Sequence, residues 1–466
     1  MRYCLVSLAV LMGPVATASA GSFPSAQNVQ SSVNGRIGKR VEWRKDAAAD
    51  AEISKAVNAL LRGTITAERA VQIALLNNRQ LQAIFEELGI ANADLTEAGL
   101  LKNPVLEASA RFPDRPPSAT NLDFGIVQDF LDLLMIPLRR KVATNELARA
   151  ELKVGDAVLK LAAEMKTAFY TLQGKQMLFG RLGELGTTYG AALELSQRQH
   201  EAGNINDLEL ANQQSAYSQS KLDAAQVAAE MRSDREKLNR LMGVWGTQTQ
   251  WSIADELPGI AGRDFPTDRL ESLAIAQRLD LAASKAEVSA IVRSLGLTKT
   301  YRYVGSIEFG VDTESETDRQ RVTGPTLKLE LPIFNQGKGR IARLETQLRQ
   351  AERRLEAQAI DIRSEVREAR DRLLAKKDLA VYYRDELVPE RKRVLDLTLT
   401  SYNSMLKGPY DLLLARQNEL AAERGYIEAL RDYWIARADL ERAVGGRLTS
   451  VRTKRQDSSK EIRTHQ

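Results

Sequence analysis

Residues 301–340 read YRYVGSIEFGVDTESETDRQRVTGPTLKLELPIFNQGKGR, and the spacing of their apolar residues changes twice. Tyr303, Gly305, Ile307, Phe309 and Val311 alternate with Val304, Ser306, Glu308 and Gly310, the period of an extended strand. A polar loop is expected over Asp312 to Thr323. Leu327, Leu329 and Leu331 then alternate with Thr326, Lys328 and Glu330, and the run ends at Pro332. Beyond it the period becomes helical. Ile341, Leu344, Leu348, Ala351, Leu355, Ala359, Ile362, Val366, Ala369 and Leu373 share one seam with coiled-coil-like spacing. A strand, a polar loop, a second strand and a long helix thus follow one another directly.

The same order occurs earlier, offset by about 200 residues. Leu106, Ala108, Ala110 and Phe112 alternate with Glu107, Ser109 and Arg111. The loop Pro113–Pro117 follows, and then Leu122, Phe124 and Ile126 alternate with Asn121, Asp123 and Gly125. Pro137 reads as a break, and a helix is expected from there to about Glu201, with Val154, Val158, Leu161, Met165, Ala168 and Leu172 on its seam. Gly203-Asn204 is a turn before a further helix over 207–242. The counterpart turn, Lys407-Gly408-Pro409, precedes a last helix from Tyr410 to Val444. Each hairpin follows a helix, the first of them capped by Thr66 and running to about Leu101. Gly99-Leu100-Leu101-Lys102 is echoed by Gly296-Leu297-Thr298-Lys299, and Leu81-Gln82-Ala83 by Leu281-Ala282-Ala283.

The expected organisation is an export signal over 1–20, a periplasmic linker over 21–63 with one helix from Ala47 to Leu61, and a first repeat over 64–246. That repeat holds a hairpin at 104–130 and long helices over 138–242. A connection over 247–266 leads to a second repeat over 267–446, with its hairpin at 301–332 and long helices over 335–444. A polar, basic, disordered tail is expected over 447–466. The signal is read from Arg2, the apolar run Cys4 to Val15 and the small-residue site Ala18-Ser19-Ala20, with cleavage before Gly21. No lipobox is read around Cys4, so no lipid anchor is expected. Cleavage would leave a chain without cysteine.

Composition narrows the function. Lys and Arg total 66 against 61 Asp and Glu, a net charge of +5 without the clustered basic footprint of a nucleic-acid binder. Mean hydropathy is −0.32, and no run reaches the roughly 18 apolar residues of a spanning helix. With two histidines and one cysteine, no metal or redox site built on those residues is expected, and no cofactor. No phosphate-binding glycine loop or nucleophile elbow is present, so an enzyme is not expected.

The strands approach the roughly 9–11 residues of a transmembrane β-strand, yet four cannot close a barrel, and an open sheet edge cannot stand in lipid. Several chains must share one barrel, and three copies would supply twelve strands. The alternative is a small soluble sheet on a helical scaffold. The aromatics Phe112, Phe124, Tyr301, Tyr303 and Phe309 suit a lipid face or its interfaces.

Three motifs carry a resemblance. Leu331-Pro332-Ile333-Phe334-Asn335-Gln336-Gly337-Lys338-Gly339-Arg340 looks like the strand-to-helix junction of the TolC family of outer-membrane efflux channels. Gly203-Asn204-Ile205-Asn206-Asp207-Leu208-Glu209-Leu210 is similar to that family's turn at the periplasmic tip, and Gly408-Pro409-Tyr410-Asp411-Leu412-Leu413 to its partner. The resemblance spans roughly Thr66 to Gly446. It implies a mainly α protein with a small β part: a homotrimer whose twelve-stranded outer-membrane barrel, four strands per chain, continues as a helical periplasmic tunnel. It further implies a passive duct working with a periplasmic adaptor and an inner-membrane pump, expected to be of the RND type. Ala98-Gly99-Leu100-Leu101-Lys102-Asn103-Pro104 leans toward the heavy-metal-cation branch (CzcC- and CusC-like). Drugs or secreted proteins are the alternative cargo, and a periplasmic coiled-coil adaptor without a pore is the alternative class.

The resemblance also places a gate. Tyr402 and Lys407 fall where the family carries a gating tyrosine and a basic gating residue, and Asn206 and Asp207 where it carries their partners. Asp411 falls on the upper of two constricting acidic rings, whose second acidic position is Leu414 here. Asn206 and Asp207 read equally well as helix-capping residues. His200 reads as a solvated residue at a helix end.

Overall fold

The structure, a computed structural model, describes residues 24–44, 47–116, 119–260, 269–303 and 305–448. The export signal and nearly all of the C-terminal tail lie outside the described residues. Two short helices come first, α1 (Pro24–Ile37) and α2 (Ala47–Leu60), then strand β1 (Thr64–Ile65) and helices α3 (Ala67–Asn77) and α4 (Arg79–Glu97). Strands β2 (Val105–Arg111) and β3 (Asn121–Asp129) lead into α5 (Leu131–Glu201), which turns back as α6 (Asp207–Met242). Strand β4 (Ser252–Ile253) opens the second half. It continues with α7 (Leu270–Gln277), α8 (Leu279–Tyr301), β5 (Ile307–Ser315), β6 (Arg321–Leu329), α9 (Lys338–Tyr382), α10 (Val388–Asn403) and α11 (Pro409–Val444).

The duplication is visible in detail. Thr66 caps α3 by accepting from the Arg69 N–H, but the expected single helix breaks at Asn78, where ψ turns to 117°. Asn78 then caps α4 through its side chain, which accepts from Leu81 N at 2.8 Å. The second half breaks 200 residues later at Arg278, with ψ 125°. Each break receives the end of a long helix. Gly243 ends α6 at φ +66°, and an added Cβ there would stand 2.5 Å from the Asn77 carbonyl. Gly445 ends α11 at φ +83°, with an added Cβ 3.2 Å from Arg278. Both positions need a left-handed backbone at close quarters, which is why each is glycine.

Helix α5 has 71 residues and spans about 105 Å. It begins at Leu131 and runs through Pro137, where a break was expected. A proline near the start of so long a helix removes one hydrogen bond and leaves the rest of the ladder intact. The second long helix is interrupted instead. A π-turn over Tyr383–Leu387 separates α9 from α10, just ahead of Pro389, whose missing N–H prevents a regular ladder there. Gly425 on α11 makes room for the displaced Tyr383 ring, since an added Cβ would lie 2.5 Å from it.

The core sits midway along the helices. Val154, Val158 and Met165 of α5, Ile362, Val366 and Leu373 of α9, and Ile427, Leu430 and Leu440 of α11 are buried there against α3 and Trp251. The expected N-terminal linker belongs to this core. Alongside α2, helix α1 buries Val29 and Val33 and packs on α5. Glu68 on α3 ties the region together, 2.7 Å from Lys39, 3.2 Å from Lys166 and 2.9 Å from Arg447. Burial pushes its carboxyl up, but the hydrogen bond from Lys39 and the charges of Lys166 and Lys39 outweigh this and hold it down at about 2. Its contribution is therefore present above about 4.5 and is lost as pH falls toward 2. Glu68→Gln should lower the melting temperature at neutral pH, and that difference should vanish over this acidic window. A difference unchanged at pH 2 to 3 in thermal circular dichroism would contradict it.

The four longer strands form one antiparallel sheet in the order β2-β3-β5-β6, with Leu106 opposite Ile126, Ile126 opposite Val311 and Val311 opposite Pro325. The second hairpin differs from expectation at both ends. Tyr301 ends α8, and Tyr303 and Gly305 precede β5. The expected loop over Asp312 to Thr323 shrinks to 316–320, because Thr313 pairs with Thr323 and Ser315 with Arg321. Asp312 and Glu314 are strand residues on the polar face of the sheet, so their charge does not signal a loop.

Candidate functional site

The two faces of the sheet differ sharply. Leu106, Leu122, Phe124, Ile126, Phe309, Val311, Leu327 and Leu329 share one face and are exposed. The opposite face carries Glu107, Asp123, Glu308, Asp312 and Glu314, with Arg111 and Lys328. Lys328 on β6 reaches Glu107 on β2 at 2.8 Å, although these strands are the two edges of the sheet, about 14 Å apart along a flat sheet. Such a contact requires the sheet to curl with its charged face inside. The concave wall is therefore wet and predominantly acidic, and the convex wall is apolar. Both edges are open, and they run in opposite directions, so β6 of one copy fits antiparallel beside β2 of another.

At the far end the chain makes two tight turns between antiparallel helices. Gly203, at φ +74°, closes α5, and Met405, at φ +57° and 94% exposed, takes the equivalent place after α10. Asn206 caps α6 by accepting from Glu209 N at 2.9 Å. Asp411 caps α11, accepting from the Gly408 N–H at 3.1 Å, and Lys407 donates to it at 3.3 Å. The Gly408 hydrogen bond and the Lys407 ammonium hold the Asp411 carboxyl below its usual range, so it stays ionised under mildly acidic conditions. Leu414, in place of a second acid, is exposed.

Tyr402 borders an apolar groove of about 380 Å³ between α5, α10 and α11, together with Leu195, Leu395, Tyr410 and Leu413. Ser196 and Tyr410 share a hydrogen bond across its wall at 3.3 Å. The structure thus brings Lys407 and Asp411 together at one turn and places Asn206 and Asp207 at the other. The pairs Tyr402–Asp207 and Lys407–Asn206 are not made within one chain. Asp207 instead meets His200 Nε2 at 2.7 Å. That contact corrects the reading of His200 as merely solvated. Its sequence signal is the spacing of one residue before and one after a four- to six-residue turn, which is too common to single out. Among the described residues, no group of three or more His, Cys, Asp or Glu is placed to hold a metal ion.

Long helical hairpins run into a curled sheet that is apolar on its convex face and charged on its concave face. Residues 270–446 match the family described as Outer membrane efflux protein. The chain is 20% identical over 390 residues, 82% of this chain and 90% of the relative, to the cobalt-zinc-cadmium resistance protein CzcC of Cupriavidus metallidurans. The fold matches the outer membrane channel CmeC of Campylobacter jejuni, with TM-score 0.70 and 18% identity over 85% of this chain and 88% of that one. It also matches CusC, with TM-score 0.69 and 16% identity over 82% and 92%.

Proposed function

We propose that three copies of this chain close one twelve-stranded barrel in the outer membrane and one helical tunnel in the periplasm, and that the assembly conducts heavy-metal cations outward. The observation that carries this reading is the sheet. Its convex face suits lipid, its concave face suits ionic solution, and its two open edges are complementary to each other. Nothing in the duct supplies energy, so transport is driven from below, by an RND-type pump joined to the tip through a periplasmic adaptor. The acidic concave wall favours cations over anions, in keeping with the cargo named for the CzcC relative. Asn206, Asp207, Tyr402 and Lys407 act as a gate between neighbouring copies, and Asp411 contributes one carboxylate per copy to a narrow ring.

Topology and cargo have separate tests. Cysteines placed at Ser118 and Asp318 should react with an impermeant thiol reagent on intact cells, while one at Asn204 should react only once the outer membrane is broken. The reverse pattern would invert the topology. Deleting the gene should lower tolerance to cobalt, zinc or cadmium. Unchanged tolerance to all three, with the labelling as expected, would remove the metal cargo and leave the duct.

A further inference from the structure

The two junctions where strands become long helices share a pattern 200 residues apart. In the first, Leu133 and Leu134 are 48% and 63% exposed in the opening turn of α5, and exposed Pro137, Arg140 and Lys141 follow on the same side of the helix. In the second, Ile333 and Phe334 are 66% and 101% exposed, and exposed Lys338 and Arg340 follow at the start of α9. None of these four cations has an ion-pair partner among the described residues, whereas Lys102, Arg139 and Lys299 nearby are paired with Asp129, Asp132 and Glu345. Both junctions lie at the same end of the sheet, since β3 and β6 run the same way and each ends there. An apolar step followed by unpaired cations is the profile of a chain leaving hydrocarbon through a layer of anionic headgroups.

We propose that these junctions form a collar at the base of the barrel that binds anionic phospholipid of the periplasmic leaflet. Leu133, Leu134, Ile333 and Phe334 enter the acyl boundary. Arg140, Lys141, Lys338 and Arg340 hold phosphate and glycerol-phosphate headgroups. With two junctions per chain the collar encircles the barrel and fixes its depth in the membrane. The pairing of apolar and cationic groups favours a lipid over a soluble anion, which would meet the same cations without using the exposed Ile333 and Phe334.

This rests on the reading that the sheet spans the membrane, and the test separates the two. The full-length mature protein is reconstituted in vesicles of phosphatidylethanolamine with and without phosphatidylglycerol, carrying brominated acyl chains. Phe124→Trp on the convex face reports whether the sheet is in lipid, and Phe334→Trp reports the collar. Quenching at both positions is expected. Quenching at 124 with none at 334 overturns the collar, including the case in which a neighbouring copy covers Phe334. Quenching at neither removes the membrane reading itself. Native mass spectrometry should show phosphatidylglycerol retained in preference to phosphatidylethanolamine. The preference should fall about fivefold for each cation removed in Arg140→Gln, Lys141→Gln, Lys338→Gln and Arg340→Gln, and Arg140→Lys with Arg340→Lys should keep it. Equal retention of both lipids by the parent protein would overturn the proposal.

Discussion

Ile126→Arg should abolish recovery of assembled protein from the outer membrane, whereas Asp123→Arg, three residues earlier on the same strand, should leave assembly intact. The two positions lie near the middle of β3 and differ in the face they share, Ile126 with Leu106 and Val311, Asp123 with Asp312 and Lys328. An arginine on the lipid face near the bilayer midplane costs about 2–4 kcal/mol per strand. In a barrel built from identical chains that cost recurs in every copy, and a threefold assembly carries roughly three times as much. On the concave wall an arginine meets water and neighbouring carboxylates and costs little. It should instead reduce the preference of the channel for cations. Heat-modifiable mobility on gels and outer-membrane fractionation read assembly, and reversal potentials in a salt gradient read selectivity. If both variants assemble equally, the convex face is not in lipid.

Tyr402→Phe together with Lys407→Ser should raise single-channel conductance and leave the assembly as stable as the parent. The long helices end at turns whose side chains offer few, exposed contacts. A hydrogen bond from the Tyr402 hydroxyl to a neighbouring Asp207 is worth about 0.5–1.5 kcal/mol, and up to about 3 with its charged acceptor. Repeated around a ring of copies, contacts of this size would hold a resting tip closed and still break when a partner docks. In each chain His200 already engages Asp207 at 2.7 Å and Asp411 already engages Lys407 at 3.3 Å. Contacts between copies would therefore compete with these contacts within each chain. Asp411→Ala removes one carboxylate per copy and should separately weaken cation preference and block by multivalent cations. Its carboxyl is held below the usual range by the Gly408 N–H and Lys407, so the parent should keep its preference under mild acid. Parental conductance in the double variant would show Tyr402 and Lys407 to be turn residues only.

Much of this architecture is legible in the residues. The change of period at Leu327–Ile341, its echo at Leu122–Val154 and the turn residues Gly203 and Gly408 are local signals with local causes. What escaped reading depends on the environment the finished fold creates. Asp312 and Glu314 resemble loop residues until the curl of the sheet places them on a wet inner wall. Tyr303 alternates like a strand residue, but α8 runs to Tyr301 and delays the strand. Helix α1 buries Val29 and Val33 and packs Ile37 partly against the core, a stripe of three in an otherwise polar segment and a weak signal. The break at Asn78 is set by the arrival of Gly243 from more than 160 residues away. The proposed gate is the least legible part, because the partners it needs would belong to another copy of the chain.

With four long strands per chain, closing a barrel takes several copies, and the mass of the folded particle reads their number directly. Light scattering of the detergent-purified mature protein, corrected for bound detergent, should give the mass of three chains. The same preparation should show a complete β signal by circular dichroism and open pores in planar bilayers. A monodisperse particle of one chain with that full β signal would contradict the account.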